Sequence, residues 1–226
     1  MDQTPGRRRD AATTRVAILD AAEVAFAEHG FEGARIDAIA SASGYNKSLI
    51  FQYFSDKLGL YAEVLRRAEH EAAQLQSRIV APLFMDPSLA NDGPRLRAFF
   101  TAAFDAMFAY LLEHQRLTRI LFWEMASGWK TYVQLGSRLQ SADLAPLEAL
   151  FQRAHASGLI RSSFAPAVQL TIALQICHVY LASAPLYRMQ QPLLEPRATE
   201  ARRYLVELVV ASIMSDAPAG AALPNC

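Results

Sequence analysis

The sequence predicts an all-α protein, with an N-terminal three-helix unit containing a helix-turn-helix and a long helix leading into a larger helical domain. Three observations carry this expectation. Apolar residues recur at spacings of three and four along most of the 226 residues, the period of amphipathic helices. No segment shows the alternation that marks a half-buried strand. The stretch RIDAIASASGYNKSLIFQYFSDKLGLY, Arg35 to Tyr61, sets two short helical patterns on either side of a glycine.

Taking the elements in order, residues 1–12 are polar and Arg-rich, expected as a flexible arm. They form either a solvated tail or, through Arg7 to Arg9, a contact to phosphates or a minor groove. Thr14 suits an N-cap, and Val16, Leu19, Ala22 and Phe26 continue as a helix ending near Gly30, with Phe31 packed beneath it. Ile36, Ile39 and Ala40 give a short helix to Ser43. Gly44 can take the left-handed backbone of a sharp turn, and Asn46 or Lys47 opens a second short helix carrying Ile50, Phe51 and Phe54. Such a unit holds the N-terminal residues of its second helix toward base edges in a major groove.

Beyond Asp56, the residues Tyr61, Leu65, Ala68, Ala72, Leu75 and Ile79 mark one long helix, expected to stop at Pro82. Pro82, Pro87 and Pro94 bracket a loop. The helix that follows is aromatic-heavy, with Leu96, Phe99, Phe100, Phe104, Phe108 and Leu111 on its apolar face. Further helical patterns run from Leu117 to Gly128, from Trp129 to about Gln140 and from Leu144 to Ala156, with a break expected near residue 142 and Ser141 or Asp143 as the cap. Ser157-Gly158-Leu159 reads as a helix stop. Two final helices follow, Ala165 to Ala184 and Arg197 to Met214. The first contains no Lys, Arg, Asp or Glu, so its surface must be covered on two sides, by its own domain and by another subunit. The Ala/Pro/Gly-rich tail, 215–226, is expected to be disordered.

Charge does not point to nucleic acid. Net charge is zero, and residues 1–60 hold seven basic and eight acidic side chains, so DNA binding requires the cations to be gathered on one face. Two cysteines and five scattered histidines fit neither a disulfide framework nor a metal site, and no metal or cofactor is expected. No apolar run approaches the roughly 20 residues that span a bilayer, and no signal-peptide core follows the basic N-terminus; a cytoplasmic protein without a membrane partner is expected. Nucleophile elbows, paired metal-binding histidines and glycine-rich phosphate loops are absent from the sequence, so no catalytic residue is assigned. A helical-bundle enzyme remains the rival class.

The chain resembles the tetracycline-repressor (TetR) family of bacterial transcription regulators. The resemblance is carried by AFAEHGFEG, IDAIASASG and FQYFSDK within residues 15–65. Beyond them it is architectural, with weak support from AHASGLIRSSFAPAV. It implies a DNA-binding domain over 13–60 and a ligand-binding and dimerisation domain over 61–214. It places Arg35 at the start of the second helix, where the family usually carries Thr or Ser on a phosphate; arginine brings charge but no capping oxygen. Tyr45, Asn46, Lys47 and Ser48 then approach bases and backbone, Leu49 and Gln52 face the groove, and Tyr53 and Lys57 face phosphates. Phe51 stands where the family often has Tyr and lacks its hydroxyl. Chemically, Gln52 and Asn46 suit adenine, Lys47 guanine or phosphate, and Leu49 a thymine methyl.

The same resemblance implies a homodimer on a palindromic double-stranded operator and a small, largely apolar or aromatic effector that releases a repressor. The expected dimer face is Val168, Ile172 and Ile176 with Leu205, Leu208 and Ser212. The expected cavity draws Phe100, Phe104, Phe108 and Phe151 from apolar faces, with Trp129 and Tyr132. Trp123, Glu124, His155, Gln175 and His178 are its polar handles. An aromatic stripe at helical spacing also reads as plain core, and a helix-turn-helix protein with no effector is the alternative function.

Overall fold

The computed structural model describes residues 5–136, 139, 145–161, 165–190 and 198–215. Among them the only pairing of extended backbone is an isolated bridge between Ile160 and Met214; the rest is helix and turn, as the periodicity predicts. The ten helices described are α1 (Pro5–Gly33), α2 (Ile36–Ser43), α3 (Lys47–Phe54), α4 (Lys57–Met85), α5 (Gly93–Glu113), α6 (Gln115–Ala126), α7 (Lys130–Leu135), α8 (Ala145–Ala156), α9 (Pro166–Gln190) and α10 (Ala198–Ile213). A 3-10 turn, Pro87–Asn91, precedes α5. The chain divides into two compact units, Met1–Ala72 with His114–Ser141 and Ala73–Glu113 with Ala142–Cys226.

In the first unit, α1 to α3, the start of α4, α6 and α7 bury Ile18, Phe26, Ile39, Ile50, Leu60, Tyr61 and Leu65 together with Ile120 and Leu135. Phe26 meets Tyr61 edge-on, ring centroids 4.8 Å apart, the favoured geometry for an aromatic pair. Ion pairs line the rim: Arg67 reaches both Asp20 and Glu23 on α1, and Arg15 reaches Glu63 on α4. The unit is larger than the span 13–60 because α6 and α7 supply part of its core.

The second unit packs α5, α8, α9 and α10 around Leu96, Phe100, Phe104, Leu150, Phe151, Val209 and Ile213. Arg202 on α10 grips Asp105 on α5 through the carboxylate and the backbone carbonyl. A smaller cluster joins Phe108, Leu111, Cys177 and Leu205.

Several boundaries differ from expectation. The first helix starts at Pro5 rather than Thr14; Pro suits a first helical turn, where its missing N–H loses nothing. Side chains Arg7 to Arg9 lie outside the described residues, as do the break near 142 with Ser141 or Asp143, and the tail from 216. Helix α4 runs through Pro82 to Met85, and α9 through Pro185 to Gln190, so neither proline ends its helix. In α9 the stretch Ala167–Tyr187 is long and apolar enough to cross a membrane by length and composition. That corrects the expectation of no such run: the polar Gln169, Gln175 and His178 that interrupt its hydrophobicity are too few to bring it below that level.

Candidate nucleic-acid interface

The local sequence dictates the turn. Arg35 is extended ahead of α2 and makes no side-chain cap, as its lack of a short oxygen requires. Gly44 ends α2 with φ 76° and donates its N–H to the Ala40 carbonyl, the left-handed closure that glycine adopts without a β-carbon clash. Asn46 then opens α3, its Oδ1 accepting the Leu49 N–H at 2.8 Å. Inward, Ile50 and Phe54 are buried with Ile39 and Ala40.

Helix α3 ends in a turn legible only afterward. Ser55 sits at φ 66°, ψ −57°, and Asp56 N–H bonds the Phe54 carbonyl at 2.8 Å, a strained three-residue γ-turn. Asp56 Oδ1 accepts the Gly59 N–H at 2.6 Å. A β-carbon at Gly59 would lie 2.1 Å from the Phe54 carbonyl oxygen, so glycine is required for α4 to leave so close to α3. Its signal in the sequence is one glycine inside an otherwise helical run.

Of the residues expected to touch DNA, Arg35, Asn46, Lys47, Ser48, Phe51 and Gln52 are exposed, and Tyr45, Leu49, Tyr53 and Lys57 are half-buried. They share the α2–turn–α3 surface and the start of α4. Three have commitments that spacing could not reveal. Asn46 uses its oxygen as a cap. Lys47 places its ammonium 3.1 Å from Asp37 of α2. Lys57 donates to the Glu32 carbonyl at 3.1 Å and lies 4.8 Å from the centre of the Phe31 ring, holding α4 to the end of α1.

The aromatic and polar residues expected around an effector are divided between the two units. In the first unit, Trp123 donates its indole N–H to the Ala27 carbonyl at 3.3 Å and stands over Gly30. Trp129 and Tyr132 contact each other edge-on at 5.6 Å. Beside them Glu124, 2 % exposed, accepts the Tyr61 hydroxyl at 2.7 Å and the Tyr132 N–H at 3.0 Å, the latter near the positive end of α7. Burial, then the bond to and charge of Glu124, pushes the Tyr61 phenol far up. Burial and the neighbouring Glu69 carboxylate push Tyr132 up to about 12.

In the second unit Phe100 packs between Phe104 and Phe151 as interior, with the Phe100 and Phe151 centroids 5.4 Å apart. Phe108 joins the smaller cluster. His178 is buried and Gln175 half-buried on α9, whereas His155 is exposed on α8. Burial lowers the His178 pKa, opposed by the hydrogen bond its ring donates to the Leu174 backbone carbonyl.

On the expected dimer face, Val168, Ile172 and Leu208 are exposed, Ser212 is exposed and donates to the Val209 carbonyl at 2.7 Å, and Ile176 is half-buried. Leu205 instead packs inward with Phe108 and Cys177, one residue after Tyr204 and three before Leu208. Val179 and Tyr204, which the expected face omitted, are exposed alongside it.

A short helix capped at its N-terminus and presented beyond a glycine turn defines a helix-turn-helix of the DNA-reading class. Over residues 18–64 the chain matches the family model for bacterial regulatory proteins of the tetR family. It is 35% identical over 116 residues to the HTH-type transcriptional repressor SCO4008 of Streptomyces coelicolor, covering 51% of this chain and 52% of that protein. It is 30% identical over 146 residues to the HTH-type transcriptional activator FasR of Mycolicibacterium smegmatis, covering 65% and 61%. The chain thus spans between half and two thirds of the length of these curated relatives. The transcriptional regulator FadR of Bacillus subtilis, solved in complex with stearoyl-CoA, superposes with a TM-score of 0.59 over 88% of this chain and 98% of its own, at 15% identity; at that identity the likeness is one of fold.

Proposed function

We propose that this protein is a ligand-responsive, sequence-specific DNA-binding transcriptional regulator, a repressor that a small, largely apolar or aromatic effector releases from a palindromic operator in the cytoplasm. The observation that carries the reading is the α2–turn–α3 surface, whose outward side chains are exposed while Ile50 and Phe54 anchor it from below. DNA reading falls to residues 13–60, with Arg35, Tyr53 and Lys57 on phosphates. Effector binding and dimerisation fall to 61–214. Dimerisation is supported by the apolar side chains left exposed along α9 and α10, Val168, Ile172, Val179, Tyr204 and Leu208, the kind of side chains that a partner subunit covers. A homodimer places two α3 helices on half-sites about one DNA turn apart.

One observation favours the reading without an effector: Phe100, Phe104 and Phe151 fill the interior of the second unit rather than bordering a space. A single experiment addresses both readings. The full chain is used to select duplexes from a randomised library, and apolar and aromatic compounds are then screened for release of the selected duplex. Compounds that stabilise the protein and release DNA support the sensor. Failure to select any duplex rejects DNA reading altogether.

A further inference from the structure

The bases that α3 can read follow from what its side chains are already doing. Guanine is read in the major groove chiefly by Arg or Lys, cytosine by Asp or Glu, adenine by Asn or Gln, and the thymine methyl by apolar groups. Helix α3, KSLIFQYF, contains no Arg, Asp or Glu. Its single cation, Lys47, is turned toward α2, where both Asp37 oxygens lie within 3.4 Å of the ammonium. Such an exposed pair is weak, yet the carboxylate sets Lys47 to the side of the helix and offsets its charge.

Asn46 is also withdrawn from bidentate adenine reading. That contact needs the amide oxygen to accept from N6 while the nitrogen donates to N7, and the Asn46 oxygen holds the Leu49 amide at the helix start. What remains on the outward side is Gln52, with Ser48 one turn before it, and the apolar Leu49 and Phe51 to either flank. Phe51 is 37 % exposed, and its ring offers a thymine methyl a partner without competing for hydrogen bonds.

We propose that this α3 reads an A·T-centred half-site, with Gln52 on an adenine and Leu49 and Phe51 on thymine methyl groups, while Lys47 serves the phosphate backbone. The proposal rests on the DNA-reading function above and specifies its substrate.

The test uses the full chain and the duplex it selects from a randomised library. The expected half-site has A·T pairs at its core, and replacing the core thymines by uracil, which removes only the methyl groups, lowers affinity on the order of tenfold. Gln52→Ala should lose about tenfold on the selected duplex and relax the choice of base at one position per half-site. Lys47→Ala should weaken all duplexes alike and reduce the salt dependence by about one charge. Both variants should melt with the parent, since both side chains are exposed. A G·C core whose preference disappears in Lys47→Ala overturns the proposal and leaves the DNA-reading function standing. So does an A·T core indifferent to both uracil and Gln52→Ala. Recovery of no preferred duplex overturns both.

Discussion

The indole of Trp123 sits over Gly30 so closely that a β-carbon on the glycine would lie 3.0 Å from its Cδ2. Gly30 is also at φ 67°, so two independent restraints act at one position. Gly30→Ala should destabilise the protein by about 2 kcal/mol or more, combining the left-handed penalty with overpacking. Paired with Trp123→Ala it should cost less than the sum of the two singles, because removing the indole relieves the contact. Strict additivity in urea denaturation would show that the ring yields freely.

Glu124 is the acceptor for both the Tyr61 hydroxyl and the Tyr132 amide. Truncation to Ala leaves both donors buried without it, at a cost of about 2–4 kcal/mol. Glu124→Gln keeps one oxygen and should cost roughly half as much. Equal losses for the two variants would mean that the negative charge, and not the acceptor geometry, stabilises this cluster.

Two sets of groups give the stability a pH dependence of opposite sense. The phenols of Tyr61 and Tyr132 are held protonated in the fold, with pKa values raised above the ordinary 10.0. Their contribution is complete below pH 10 and is lost as pH rises through the folded values, for Tyr132 at about 12 and for Tyr61 later still. His178 has its pKa lowered from 6.5, so the folded state binds its proton less readily than the unfolded chain. Its contribution is complete above about pH 6.5 and lost as pH falls below it. Thermal melts should therefore drop on both sides, and His178→Gln should flatten only the acidic limb; an unchanged acidic limb would locate that proton elsewhere.

Ile172→Glu and Leu208→Glu place a charge on the exposed apolar side of α9 and α10 and should yield folded monomers. Leu205→Glu, three residues from Leu208, buries a carboxylate beside Phe108 and should unfold the chain instead. Sedimentation together with circular dichroism separates these outcomes. A dimer that survives Ile172→Glu and Leu208→Glu would move the interface off this face.

Periodicity made most helices legible, and Gly44 identified the turn, because both depend on residues near one another in sequence. What escaped was set by distant partners. Nothing near Trp123 announces that it stands on Gly30, and nothing near Glu124 points to Tyr61. Leu205 and Leu208 look alike in sequence; only the packing of Phe108 decides which turns inward. The passage of α4 through Pro82 escaped for another reason: Pro's penalty is local, whereas flanking turns can carry a helix past it.

The cap formed by Asn46 has a consequence for how this protein can change. Starting α3 is assigned to Asn46 and anchoring it to Ile50 and Phe54, leaving Ser48 and Gln52 with no structural duty. Altered target preference is therefore accessible through two positions whose substitution leaves the fold intact, and a laboratory search for new preferences would begin there with Asn46 held constant.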